Sequence, residues 1–230
     1  MGIIKTRYDR NYFENYFYRE QPHSQRNINR VKELLLHKDT GELLEIGCAE
    51  GNFLKEARRH FYVTGLDISL GAARGARGRG KIYGFNLHLV VGDAENLPFN
   101  SRYFDYGFTH DGLHHLFDPE KGISELARVS AKGVFFIEPA SALVTRLAHF
   151  LGIAKRYEPS GNLIYRFKES ELKMLFTKLG FNQIEFRRYL MYYPHNPPPI
   201  FSIKLAMIFF FLDNFNFFFS KLANREFEIK

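Results

Sequence analysis

A chain of 230 residues, 45% of them hydrophobic, is long enough for one large domain with a sizeable core, or one domain with additions. Its single cysteine, Cys48, excludes a disulfide framework within the chain, and the polar, aromatic start MGIIKTRYDRNYFENYFYRE carries no secretory pattern, so a cytoplasmic, reducing setting is the default expectation. The formal net charge of +7 favours anionic partners only weakly; a soluble basic protein without such a partner fits it as well.

Residues 1–40 read as an N-terminal helical cap. Tyr8, Tyr12, Phe13, Tyr16 and Phe17 recur at helical spacing, and Ile28, Val31, Leu34 and Leu35 fall on one face of a further helix. Asp39-Thr40-Gly41 breaks it. These aromatics either pack against a sheet or form a lid over a ligand.

The stretch LLEIGCAEGNFLKEARRH, Leu43 to His60, reads as a buried strand, a glycine turn and a helix start. Gly47 and Gly51 bracket the turn and let a ligand approach the backbone. The helix that follows offers free N–H groups. Glu45 stands at the carboxyl end of the strand, where open α/β sheets bind ligands. A second strand, Tyr62 to Leu66, ends in Asp67, 20 residues past Gly47, the distance at which a carboxylate grips ribose hydroxyls in a βαβ nucleotide site. SLGAARGARGRGK, Ser69 to Lys81, should be a helix, but its glycines each weaken one by about 1 kcal/mol, so a solvated, fraying helix is expected over a brief Arg-Gly tract.

Asn86 to Val91 is a third strand, followed by GDAENLPF with Asp93 at its head. Tyr103 to Thr109 is a fourth strand, and HDGLHHLFDPE, His110 to Glu120, is a loop dense in titratable groups. Glu120 to Ser130 is a helix and Lys132 to Ile137 a fifth strand, ending in Glu138-Pro139. This alternation implies a parallel sheet with helices on both faces. Right-handed crossovers bring the strands' carboxyl ends to one edge, so Glu45, Asp67, Asp93, His110 and Glu138 should line one rim.

LLEIGCAEG, TGLDIS, VVGDAENLPF, FDYGFTHDGLHHL and FFIEP, in that order, resemble a class I S-adenosylmethionine-dependent methyltransferase of the small-molecule group that includes the quinone-pathway enzymes. The resemblance covers Leu43 to about Leu190. It implies an α/β fold with a Rossmann-like, seven-stranded, mostly parallel sheet, helices on both faces, and residues 41–230 as the methyltransferase domain. It implies S-adenosylmethionine as cofactor and S-adenosylhomocysteine as product. On that likeness Glu45, Gly47, Cys48, Ala49 and Gly51 surround the methionine part; Asp67 binds the ribose with Ile68 beside the adenine; Asp93 and Ala94 flank the adenine; and His110 lies near the sulfonium. Ala49 stands where many members have glycine, which should narrow the turn slightly.

Methyl transfer from a cationic sulfur needs an acceptor held in line and water kept out, so positioning can supply much of the rate. A base is needed only for an acceptor whose proton has a high pKa; His110, Asp111, His114 and His115 are candidates, with a structural role for the histidine pair as the alternative. His110, Asp111, His114, His115 and Asp118 could ligate a metal, but their spacing matches no zinc pattern, and none is expected. Cys48 could be a nucleophile at a helix N-terminus, or a small residue tolerated in the turn. A nicotinamide dehydrogenase would need glycines where Gly47, Ala49 and Asn52 stand, and it leaves Asp93 unexplained.

The rest should carry acceptor choice. Ser141 to Ile153 reads as an apolar helix within an inserted segment of about residues 140–167. Lys168 to Leu179 is a helix stopped by Gly180, Gln183 to Leu190 a sixth strand, and Arg225 to Ile229 the last. Between them lies a second insertion, about 194–223. Its part Ile200 to Ala223 is apolar but interrupted by Lys204, Asp213, Asn214 and Asn216, too polar for a membrane span. It could be a buried helix, a lid, a lipid-touching helix or a homodimer surface. A small, hydrophobic acceptor is the expectation. A nucleic-acid methyltransferase, suggested by the charge and the Arg-Gly tract, and a non-catalytic cofactor-binding module are the alternatives. The former lacks the usual base-reading loop after the fourth strand, where this chain has His110-Asp111-Gly112-Leu113, so no nucleic-acid partner is expected.

Overall fold

The computed structural model describes residues 39–141, 150, 165–189 and 224–229. The N-terminal cap, most of the 140–167 segment and the 194–223 insertion with its apolar stretch lie outside the described residues.

Short apolar runs with β-branched and aromatic residues form the strands β1 (Glu42–Ile46), β2 (Tyr62–Asp67), β3 (His88–Val91), β4 (Phe104–His110), β5 (Ser130–Glu138), β6 (Ile184–Tyr189) and β7 (Asn224–Ile229). The sheet order is β3-β2-β1-β4-β5-β7-β6. The parallel body has five strands, β1 to β5; the antiparallel pair β7 and β6 extends its β5 edge. Of the seven strands expected to be mostly parallel, β7 runs antiparallel to both of its neighbours, β5 and β6. Order reverses between β1 and β4, so the topological switch point lies there, and the glycine turn that leaves β1 sits above it.

Alternating side chains leave each strand on opposite faces, and each face has its own core. Leu44, Ile46, Leu66, Val134 and Phe136 meet α3 (Pro119–Val129) through Ile123, Leu126 and Val129, and α4 (Glu169–Lys178) through Leu172 and Phe176. Leu43, Val63, Phe108, Phe135 and Ile137 pack on the other face with Leu54 and Ala57 of α1 (Leu54–Ala57). Burying a side chain of this size contributes about 1.5–3 kcal/mol, so the paired apolar residues of β1 and β5 hold both layers to the sheet.

The helix that starts after the glycine turn is a single turn, α1. The Arg-Gly tract is not frayed: α2 (Leu70–Ile82) is continuous over 13 residues. Ser69 caps it by accepting from the Ala72 N–H at 3.2 Å, and Ala72, Ala73, Ala76 and Gly80 form its buried face. Gly80 is required by contact, because a Cβ there would stand 2.7 Å from the Phe85 carbonyl oxygen. Small residues on the inner face let this helix lie close to the sheet, which offsets their poor helical propensity.

Candidate functional site

Residues at the carboxyl ends of β1 to β5 share one rim. The register pairs Ile46 with Leu66, Asp67 with Val91, and His110 with Ile137. Glu45, Asp67, Asp93, His110 and Glu138 therefore stand along that edge, as the alternation of elements predicts.

The turn from β1 into α1 is strained where a side chain sits in it. Gly47, Ala49 and Gly51 have φ of +66°, +44° and +72°. Glycine adopts this state freely; for Ala49 it costs about 1–2 kcal/mol. So Ala49 does not merely narrow the turn; it occupies a left-handed position. Its N–H donates to Asp67 Oδ2 at 2.9 Å, and the Ser69 N–H donates to Asp67 Oδ1 at 2.8 Å. Asp67 thus ties the turn to the start of α2 while each oxygen keeps acceptor capacity.

Electrostatics distinguish the two ends of the sheet. At the amino end, Asp105 is held below the usual carboxylate range by the Glu42 N–H and then by Lys132. At the rim the shifts go the other way. Burial pushes the Glu45 carboxyl well up, with Asp67 adding like-charge repulsion, and burial also raises Asp67 against the pull of three backbone donors. Glu45 Oε2, Thr109 Oγ1 and His110 Nε2 are buried without a hydrogen-bond partner among the described residues. All three close β1 or β4. An unpartnered buried carboxyl beside a glycine turn is costly unless a donor or cation arrives there.

Cys48 is buried, and its thiol is pushed well up by burial and by Asp67 and Glu45. That environment makes a poor nucleophile, so the cysteine acts here as a small residue of the turn. Asp93 caps its own loop: Oδ1 accepts from the Glu95 N–H at 3.0 Å. Ile68 is 40% exposed at the rim, whereas the Ala94 side chain is buried.

The loop after β4 is folded inward. The His110 ring lies 4.3 Å from that of Phe53, and its Nδ1 is 3.5 Å from Asp111 Oδ2. His114 is turned into the protein, its Nδ1 2.6 Å from Glu138 Oε2, and the His115 ring packs 3.9 Å from it. Asp111, His114 and Glu138 bring ligand-capable atoms within 4.8 Å of one another. Both Glu138 oxygens already accept backbone N–H groups from residues 112 to 114. That carboxylate is thereby committed to the loop.

Glu95 and Arg128 support the rim although no motif in the sequence marks them. Buried Glu95 accepts from the Phe117 and Asp118 N–H groups at 2.8 and 3.3 Å. Arg128 donates to the Phe99 and Leu97 carbonyls at 2.8 and 3.1 Å. Together they brace the loop that carries Asp93. The only signal in the sequence is a second acid two residues after Asp93, which is weak.

A family model described as a methyltransferase domain matches residues 44–137, the span from β1 to β5. The chain is similar to the demethylmenaquinone methyltransferase of Staphylococcus haemolyticus, 28% identical over 179 residues, covering 67% of this chain and 74% of that protein. It is similar also to the fatty-acid O-methyltransferase of Mycolicibacterium smegmatis, 30% identical over 141 residues, covering 54% of this chain and only 51% of that one. Among solved structures, a Haemonchus contortus phosphoethanolamine N-methyltransferase in complex with phosphomonomethylethanolamine and S-adenosylhomocysteine shares the fold, with a TM-score of 0.60, 17% identity, and coverage of 89% of this chain and 52% of that chain. The matched span coincides with the five parallel strands and their glycine turn, so residues 44–137 match a methyltransferase domain, and the relatives and the solved structure that the chain resembles are themselves methyltransferases.

Proposed function

We propose that this rim holds S-adenosylmethionine and that the enzyme methylates a small, hydrophobic acceptor. The observation that carries the cofactor reading is the buried Glu45 carboxyl, whose Oε2 has no hydrogen-bond partner among the described residues, beside the turn of Gly47, Ala49 and Gly51. A carboxylate there matches a cationic amine, and the turn admits a ligand to the backbone. Asp67 retains acceptor capacity for a pair of hydroxyls, and Asp93 stands beyond β3 for an amine donor. Cys48, Ile68 and Ala94 complete the wall. The bound cofactor supplies a methyl group already activated on sulfur. The chain's part is to bind, orient and exclude water.

His110 is the residue best suited to a proton-handling role, because its Nε2 has no partner among the described residues. His115 is the second candidate, while His114 is engaged with Glu138. The hydrophobic acceptor rests on the apolar residues of 200–223 and on relatives whose names specify a demethylmenaquinone and a fatty acid as substrates. In this reading the apolar stretch 200–223 is the part of the chain that would meet a membrane surface or a second copy. No helix among the described residues is long and apolar enough to cross a membrane.

The test is transfer of labelled methyl to a panel containing a quinol, a fatty acid, a water-soluble amine and RNA. Transfer to the lipophilic members supports the proposal. Transfer to RNA alone, with steep salt dependence, contradicts it.

A further inference from the structure

Glu138 closes β5 and is 2% exposed. Its Oε1 accepts from the Gly112 and Leu113 N–H groups at 2.8 and 2.7 Å. Its Oε2 accepts from the His114 N–H at 3.4 Å and lies 2.6 Å from His114 Nδ1. One buried carboxylate thus gathers three consecutive residues of the loop after β4. Hydrogen bonds to an ionised acceptor are the strong ones, and more so away from water.

The same loop presses on the glycine turn from the other side. A Cβ on Gly47 would stand 3.3 Å from Gly112 Cα, and a Cβ on Gly112 would stand 2.4 Å from Thr109 Oγ1 and 3.2 Å from the Ile46 carbonyl oxygen. Asp111 holds a left-handed φ of +52°, and its N–H donates to the Ile137 carbonyl at 2.9 Å. Such a backbone state persists only when its surroundings fix it. Here the fixing comes from the end of β5, by way of Ile137 and Glu138.

We propose that Glu138 and His114 form a positioning pair, which holds the loop from His110 to Leu113 against the glycine turn and so sets the shape of the cofactor's methionine end. This rests on the cofactor reading above. Neither residue touches reacting atoms; His114 acts through Glu138, and Glu138 acts through Gly112 and Leu113. Both Glu138 oxygens already accept backbone N–H groups, so in this proposal the 2.6 Å contact is closed by a proton on His114 Nδ1. A packing role alone would not dictate that tautomer.

The experiment compares wild type with Glu138→Gln, His114→Phe and His114→Asn, each checked for folding by circular dichroism. Three quantities are read: S-adenosylhomocysteine affinity by calorimetry, amide exchange at Gly112 and Leu113, and the ¹⁵N signals of the His114 ring. The Phe variant should lose roughly tenfold or more in affinity and exchange those amides faster, since small misplacements in a site are costly. The Asn variant, whose side-chain N–H can replace Nδ1–H, should recover most of the affinity. In the Gln variant the new amide donates to Nδ1, and the ring proton should move to Nε2.

Wild-type affinity in both the Phe and Gln variants overturns the inference, as does a wild-type ring proton on Nε2 alone. A wild type that binds no S-adenosylhomocysteine overturns the cofactor reading and this inference with it. If the Gln variant does not fold, the Phe and Asn pair decides the matter.

Discussion

Glu45 is a residue held against its own solvation. Its folded-state pKa is raised by burial and by Asp67, above the unfolded value of about 4.3. Between those two values the folded state binds more protons than the unfolded chain, so stability falls as pH rises through that window. Below it the acid is neutral in both states and the penalty is absent; above it the penalty is complete. Asp67 shifts in the same direction and adds to the trend. Glu45→Gln should therefore stabilise the unliganded protein by about 1 kcal/mol at pH 8 and by less near pH 4.5, as read from denaturant midpoints. It should at the same time weaken S-adenosylhomocysteine binding. A variant destabilised equally at both pH values would contradict this. Cys48 gives a chemical check on the same environment. With its thiol pKa raised, it should react with a thiol reagent far more slowly in the native protein than in denaturant.

At the scale of elements, the strands were legible because their apolar runs are short and bounded by turn residues. Leu43-Leu44 and Phe135-Phe136 read as fully buried strands, and they feed both cores. The rim followed from topology, since parallel strands with regular crossovers must share an edge. Helix α2 was not legible in the same way: glycine propensity argues for fraying, and only tertiary packing explains Gly80. Its glycines should separate by position. Gly78 faces open space, so Gly78→Ala should stabilise by about 0.5–1 kcal/mol. Gly80→Ala should destabilise through its clash with the Phe85 carbonyl. Thermal or urea unfolding of the two variants checks the sign of each. Ala49→Gly should stabilise by roughly 0.5–1 kcal/mol, because glycine accepts the left-handed φ; an Ala49→Gly variant less stable than wild type would show that the turn does not hold that conformation.

Across the whole molecule, the methyltransferase likeness is readable because acids and glycines at fixed separations converge on one sheet edge. Individual roles at the rim were less so. A histidine pair in sequence does not reveal that one ring faces a buried carboxylate 24 residues away. Glu138 looked like one more rim acid, yet its oxygens are spent on the loop opposite. Such facts depend on which way a side chain turns at a loop, and hydropathy patterns carry no such information there.

The central claim is that the β1 turn and its buried acid bind the cofactor. Titrating wild type and Glu45→Gln with S-adenosylhomocysteine in a calorimeter tests it most directly. The wild type should give a saturable, one-site heat, and the variant an affinity at least about tenfold weaker, the cost of losing one charged hydrogen bond. Equal affinity in the two proteins, or no heat from folded wild type, would contradict it.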